Sequence, residues 1–195
     1  MITTKKSDRN ELSRLTGREV DIRTPRDLQG LIRCYGCGAW VKDMKGVPHK
    51  YIGAPMGCWE IYGEILAKEY GEYGYPQPTH RLTVDTYAVQ HPGKPSRQAI
   101  QSVNVHLVRL YLVLKKGLSM KQATTAMGRV LRHSDKFAWL EPPLPNGHIT
   151  VVDVIKAQNI EEHTKQVEAW AKDVWKAWAI HHEKISKLVK QYLGE

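Results

Sequence analysis

Apolar residues recur at intervals of three and four along much of this chain, the period of helices that bury one face. Trp59, Tyr62, Ile65, Leu66 and Tyr70 mark the first such helix, over 59–70. A second is expected from Thr79, read as an N-cap, to His91, where Pro92-Gly93 stops it. Its β-branched Thr83, Val84, Thr86 and Val89 keep a strand open for the first half. Pro95-Ser96 opens a strongly apolar helix reaching Lys116, with Gly117 as its stop signal. Ser119 and Gln122 have the spacing of a capping box, starting a helix to about His133. Thr150 starts a short helix, and the longest runs from about Ile160 to Leu193. Loops rich in Gly or Pro, 71–78 and 141–147, lie between. The pattern predicts a mainly α, single-domain helical bundle.

Ahead of the first helix the period is lost. Residues 1–23 are polar and charged and read as a flexible N-terminal arm, leaving 24–195 as the domain. Thr24-Pro25 has the form of an N-cap followed by proline at the first helical position, opening a short helix through about Arg33. Residues 34–58 hold five Gly and two Pro with no steady period, a compact irregular knuckle. Its cysteines give it a reason to fold. Cys34-Tyr35-Gly36-Cys37-Gly38 puts two thiolates three apart, able to share one tetrahedral Zn²⁺, and Cys58 follows at the spacing of a second ligand pair. The fourth ligand is His49, in the same loop, or His80 as second choice. A zinc held this way is structural and closed. The competing reading makes Cys58 a small buried apolar residue beside reduced thiols.

A second constellation is rich in histidine. On one helix His80, Val84, Tyr87 and His91 share a face, and on the next Ser102, His106 and Arg109 form a polar stripe in an apolar segment. The C-terminal helix adds Trp170, Trp175, Trp178, His181 and His182, with His163 further back. Helical bundles build metal sites from facing helices in this manner. His80, His91, His106 and His182 are therefore candidate ligands of a second metal ion, with Asp85 as orienter or base and Arg109 as holder of an anionic group. A metal-bound water activated there would make the chain a hydrolytic enzyme. Hydrogen-bonded structural histidines are the plain alternative, and His91 before Pro-Gly can simply complement a helix dipole. No His-Glu-x-x-His, Gly-x-Ser-x-Gly, Walker or Gly-x-Gly-x-x-Gly pattern is present.

Composition sharpens this picture in three ways. The chain has 195 residues, 42% hydrophobic and 25% charged, the balance of an ordinary globular protein. Six Trp and nine Tyr against one Phe supply large apolar bodies with hydrogen-bonding tips, suited to a core with polar groups inside. Three Cys make no disulfide framework and suggest a reduced cytoplasmic setting. No apolar run is long enough to span a membrane, and the N-terminus has no apolar segment behind its lysines. The formal charge of +9 is local: 94–136 holds nine Lys and Arg against one acidic residue, carrying +8 of it. Lys115, Lys116, Lys121, Arg129 and Arg132 straddle a short capped helix, weakly like a helix-turn-helix. The alternative function is accordingly a zinc-stabilised module binding nucleic acid or protein through that block, against the plain reading of a solvated basic face.

The blocks Cys34-Tyr35-Gly36-Cys37, Gly57-Cys58-Trp59 and the run from His80 through Gln90-His91-Pro92-Gly93 resemble an uncharacterised bacterial family of unknown function. Pro95-Ser96, Ser102-Val103, His106-Leu107, Trp170-Ala171, Val174-Trp175, Trp178 and His181-His182 continue the likeness. It extends over about residues 30–190. The resemblance implies one domain in which both constellations belong to a shared design, and it implies no reaction.

Overall fold

In a computed structural model of the chain, which describes residues 28–193, the capping signals at Ser96, Ser119 and Thr150 act where the pattern placed them. Ser96 accepts a hydrogen bond from the Ala99 N–H, opening a helix at Arg97. Ser119 and Gln122 form the full capping box, and Thr150 forms one with Asp153. Asn159 accepts from the Glu162 N–H at the head of the C-terminal helix. Each cap satisfies N–H groups that the first helical turn leaves without partners.

The helices in chain order are α1 (Met56–Gly71), α2 (Gln77–Gln90), α3 (Arg97–Leu110), α4 (Met120–Leu131), α5 (Val151–Val154), α6 (Ile160–Ala177) and α7 (His182–Leu193). A π-helical turn, Tyr111–Lys115, extends α3. Two three-residue strands, β1 (Leu31–Arg33) and β2 (Trp40–Lys42), pair around the first two cysteines. The compact unit is Ile32–Glu195, a mainly helical bundle with an irregular cysteine-bearing segment at its N-terminal side. No helix among the described residues is long and apolar enough to cross a membrane.

Three expectations change. The arm 1–23 and the opening at Thr24-Pro25 lie outside the described residues, but the expected helix does not reach Arg33, because Leu31–Arg33 pairs as β1. Thr79 is not the cap of α2. The helix starts earlier, at Gln77, with Pro76 at the N-cap, and the strand alternative for 79–86 is gone. The long C-terminal helix breaks at a 3₁₀ turn, Trp178–His181, where the Trp178 side chain is fully buried.

Helix α2 is the centre of the bundle, packed chiefly between α3 and α6. Thr83, Asp85, Thr86 and Gln90 on it, and His91 at its C-cap, are completely buried, so each demands a partner. The tryptophan indoles answer part of that demand. Gln90 donates to the carbonyls of Asn146 (2.9 Å) and Ile149 (2.8 Å) and accepts from Trp170 Nε1 (2.9 Å). Asn146 donates to the carbonyls of Val89 (3.1 Å) and Gln90 (3.0 Å) and accepts from Trp178 Nε1 (2.8 Å). This network pins the 141–147 loop to the end of α2. Asn146→Ala strands the Trp178 indole and two carbonyls, an expected loss of about 2–3 kcal/mol. A lower urea midpoint at unchanged slope would register it.

Candidate metal centre

Helices α1 and α2, of 16 and 14 residues, form an antiparallel hairpin. Cys58, in the first turn of α1, meets His91, the C-cap of α2, at one end; Glu69 meets His80 at the other. The knuckle closes on the first of these ends. The Cys34 N–H donates to the Ala39 carbonyl (2.7 Å) and the Gly38 N–H to the Cys34 carbonyl (2.9 Å), turning the chain so that both thiols face inward. The segment 51–53 pairs with 91–93: the Gly53 N–H donates to the His91 carbonyl at 2.8 Å, and Ile52 bridges Pro92. At Gly36 a Cβ would run into the His91 ring and lie 2.8 Å from the Gly53 carbonyl oxygen, so glycine alone permits this approach.

The result is a cluster of Cys34, Cys37, Cys58 and His91, all buried, whose ligand atoms lie within 4.8 Å of one another. Cys37 and Cys58 sulfurs are 4.0 Å apart, and Cys58 Sγ is 3.4 Å from His91 Nε2. Zinc bond lengths in a tetrahedron require ligand separations of about 3.8 Å between sulfurs and about 3.5 Å from sulfur to nitrogen. The two separations in the cluster are close to these values, and it could hold a metal ion. The His91 Nδ1–H donates to the Tyr87 carbonyl at 2.9 Å, which leaves Nε2 as the nitrogen facing the sulfurs. Tyr87 stacks on the His91 ring at 4.0 Å and directs its hydroxyl to Cys58 Sγ.

The electrostatics favour a cation. Burial works against a charged His91, but hydrogen bonds and charge from Cys34 and Cys37 prevail and push its pKa up to about 9. Hydrogen bonds from Cys37 and Cys58 hold the Cys34 thiol far below its ordinary range, while hydrogen bonding to Cys34 and Cys37 drives Cys58 far above it. The sulfurs compete for too few protons. A metal ion replaces those protons and ends the competition.

Three of the cluster's four residues are ones the sequence put forward for this site, and the fourth is not. His49 is exposed, with its ring edge against Tyr51 at 4.1 Å. His80 lies at the far end of the hairpin. The residue that completes the cluster is His91, which the sequence pattern assigned to the second constellation.

That second constellation comes apart. His80 Nδ1 donates to Glu69 Oε2 at 2.7 Å, His106 Nδ1 donates to Asp85 Oδ1 at 2.6 Å, and His182 donates from Nε2 to the Trp175 carbonyl at 2.9 Å while stacked on that indole. His181 caps the Glu141 carbonyl at 2.8 Å. With His91 among the cysteines, the four histidines occupy four different places. The shared metal site expected of them does not form.

Two smaller sites stand in its stead. Asp85 is buried, with His106 on Oδ1 and Arg109 Nη1 at 3.5 Å from the same oxygen. Glu69, which carried no signal in the sequence, accepts from His80, from Thr83 (2.6 Å) and from His163 Nε2 (2.7 Å) with no exposure at all. Its position three turns along α1 from Cys58, opposite the start of α2, becomes visible only when the hairpin is folded. The basic residues behave differently. Lys115, Lys116, Lys121, Arg129 and Arg132 are all exposed. Lys121 and Arg129 line a surface groove on α4 with Gln122 and Thr125, and the groove shares no residue with the cysteine cluster.

Neither the curated proteins nor the solved structures contain a match to this chain. A family model does match, over residues 32–179, a span that includes the whole cysteine cluster, the α2 core and both buried carboxylates. The chain belongs to that family, DUF5946, a family of unknown function.

Proposed function

We propose that the chain is a structural zinc protein, with one Zn²⁺ held by Cys34, Cys37, Cys58 and His91. The observation carrying this reading is the closure of the cluster: three sulfurs and one tautomerically fixed imidazole, all buried, within tetrahedral reach of one centre. Three thiolates and an imidazole select zinc over the oxygen-loving cations. Four protein ligands fill the tetrahedron, so the ion organises the fold and is not itself a hydrolytic centre. Its role is to tie the irregular segment 34–58, which has little core of its own, to the end of the central helix.

Metal analysis of the reduced full chain, reconstituted with zinc and desalted, tests this reading. One zinc per chain is expected, and Co²⁺ in its place should show sulfur-to-cobalt charge-transfer bands. Cys37→Ser and His91→Ala should each lose the metal or its tetrahedral spectrum, while His49→Ala keeps both. Retention of an unchanged cobalt spectrum in His91→Ala, or no bound zinc in the native chain, would overturn it.

A further inference from the structure

The pairing of Asp85 with Arg109 is incomplete. A structural Arg–carboxylate pair commonly engages in a two-pronged fork, using both oxygens and two nitrogens. Here Asp85 Oδ1 alone takes both His106 and Arg109 Nη1, the latter at a long 3.5 Å. Asp85 Oδ2 and Arg109 Nε are both buried, and neither has a hydrogen-bond partner among the described residues. Buried polar atoms are seldom left unmet, and here one acceptor and one donor are open on adjoining side chains.

Arg81 and Asp85 stand one turn apart on α2, and Ser102, His106 and Arg109 one turn apart on α3, the helix packed against it. Asp85 is fully buried, the Arg109 side chain is 10% exposed, and the His106 side chain is 18% exposed. The site therefore grades from a buried carboxylate to an imidazole that reaches solvent. Because Nδ1–H of His106 is committed to Asp85, its Nε2 is left as the proton-accepting nitrogen. Arg81 is a second guanidinium nearby, and its charge acts on Arg109.

We propose that Asp85, His106 and Arg109 form a binding site for a small oxyanion that carries its own hydroxyl, such as hydrogen phosphate or a hydroxycarboxylate. The hydroxyl donates to Asp85 Oδ2 and the anionic oxygen accepts from Arg109 Nε–H, while Asp85 fixes the orientation of His106 at the solvent-side edge of the site. A bare carboxylate meets only half of this demand, since it has nothing to donate. The site stands apart from the metal cluster, and its ligand is independent of the zinc reading.

The test is a titration of the full, metal-loaded chain, following the imidazole resonances of His106 by nitrogen–proton correlation. Inorganic phosphate and glycolate are added in separate arms, with acetate as the ligand lacking a donor. Saturable shifts at His106 with phosphate or glycolate are expected, and whichever binds tighter identifies the source. Acetate should bind at least about tenfold more weakly, and Arg109→Lys, which keeps the charge but loses Nε in its place, should weaken binding about tenfold. Unchanged metal content and melting temperature show that the variant is folded. If it is not, the native titration decides alone. His106 resonances indifferent to both phosphate and glycolate, acetate binding as tightly as either, or unaltered binding by a folded Arg109→Lys chain would overturn the proposal.

Discussion

Stripping the proposed zinc from the reduced chain with a chelator is expected to lower its melting temperature by about 8–16 °C. An ion present at about a thousand times its Kd contributes about 4 kcal/mol to the folded state, and each kcal/mol moves the midpoint of a domain this size by about 2–4 °C. That is a large share of the roughly 5–15 kcal/mol that holds a domain together. The loss should be local first. Amides of 34–58 and 91–93 should exchange with solvent faster, since the Gly53 N–H bond to the His91 carbonyl and the Gly93 N–H bond to the Tyr51 carbonyl join the knuckle to the end of α2. Amides in α4 and α7, which pack against each other and against α3, should change little. Calorimetry before and after chelation, with zinc added back, measures the shift. A change under about 2 °C on complete removal would show that the ion carries little of the stability.

The second large effect is expected at Glu69. Glu69→Ala leaves His80, His163 and Thr83 aimed at an acceptor that no longer exists, at an expected cost of about 3–5 kcal/mol. Glu69→Gln keeps the shape and one acceptor and should cost less. The two variants also differ from the native chain in acid. Burial disfavours the Glu69 charge, but hydrogen bonds from His163, Thr83 and His80 outweigh it and hold the carboxyl below its ordinary 4.5. A carboxyl whose pKa is lower folded than unfolded stabilises the fold above the unfolded value. That contribution fades as pH falls from about 4.5 through the depressed folded value. Denaturant midpoints between pH 7 and pH 3 should therefore drop more steeply for the native chain than for Glu69→Gln. Parallel profiles would mean that Glu69 takes no part in the acid response.

Much of the architecture was legible from short-range chemistry. Ser96, Ser119 and Thr150 cap helices where the pattern put them, because an N-cap needs only a side chain and the N–H groups two or three residues on. The surplus of Trp over Phe anticipated a core with polar groups, and Trp170 and Trp178 do satisfy Gln90 and Asn146. Leu31–Arg33 and the break at Trp178 were illegible, since pairing with β2 decides the first and a tertiary pocket the second.

The site divides along the same line. Cys34, Cys37 and Cys58 could be picked out by spacing, because two thiolates on one tight turn are a local property. The fourth ligand could not be chosen by nearness in sequence. His49 is closer along the chain, but His91 is closer in space, because two helices of similar length climb away from Cys58 and return. The shared face of His80 and His91 was real as helix geometry and misleading as chemistry. Eleven residues is three turns, about 16 Å, so two side chains on one face reach different partners at opposite ends of the hairpin. Glu69 shows the converse: a glutamate on an amphipathic helix reads as solvent-facing until α2 and α6 close over it.

What the sequence determined by itself was the set of helices, their caps, and a turn that gathers two thiols. Only the tertiary structure decided which histidine joins them, which carboxylates lose contact with water, and where Asp85 and Arg109 leave atoms open. The reason is physical. Capping and periodicity act over three or four residues, while ligand sets and buried polar partners are fixed by packing between segments tens of residues apart.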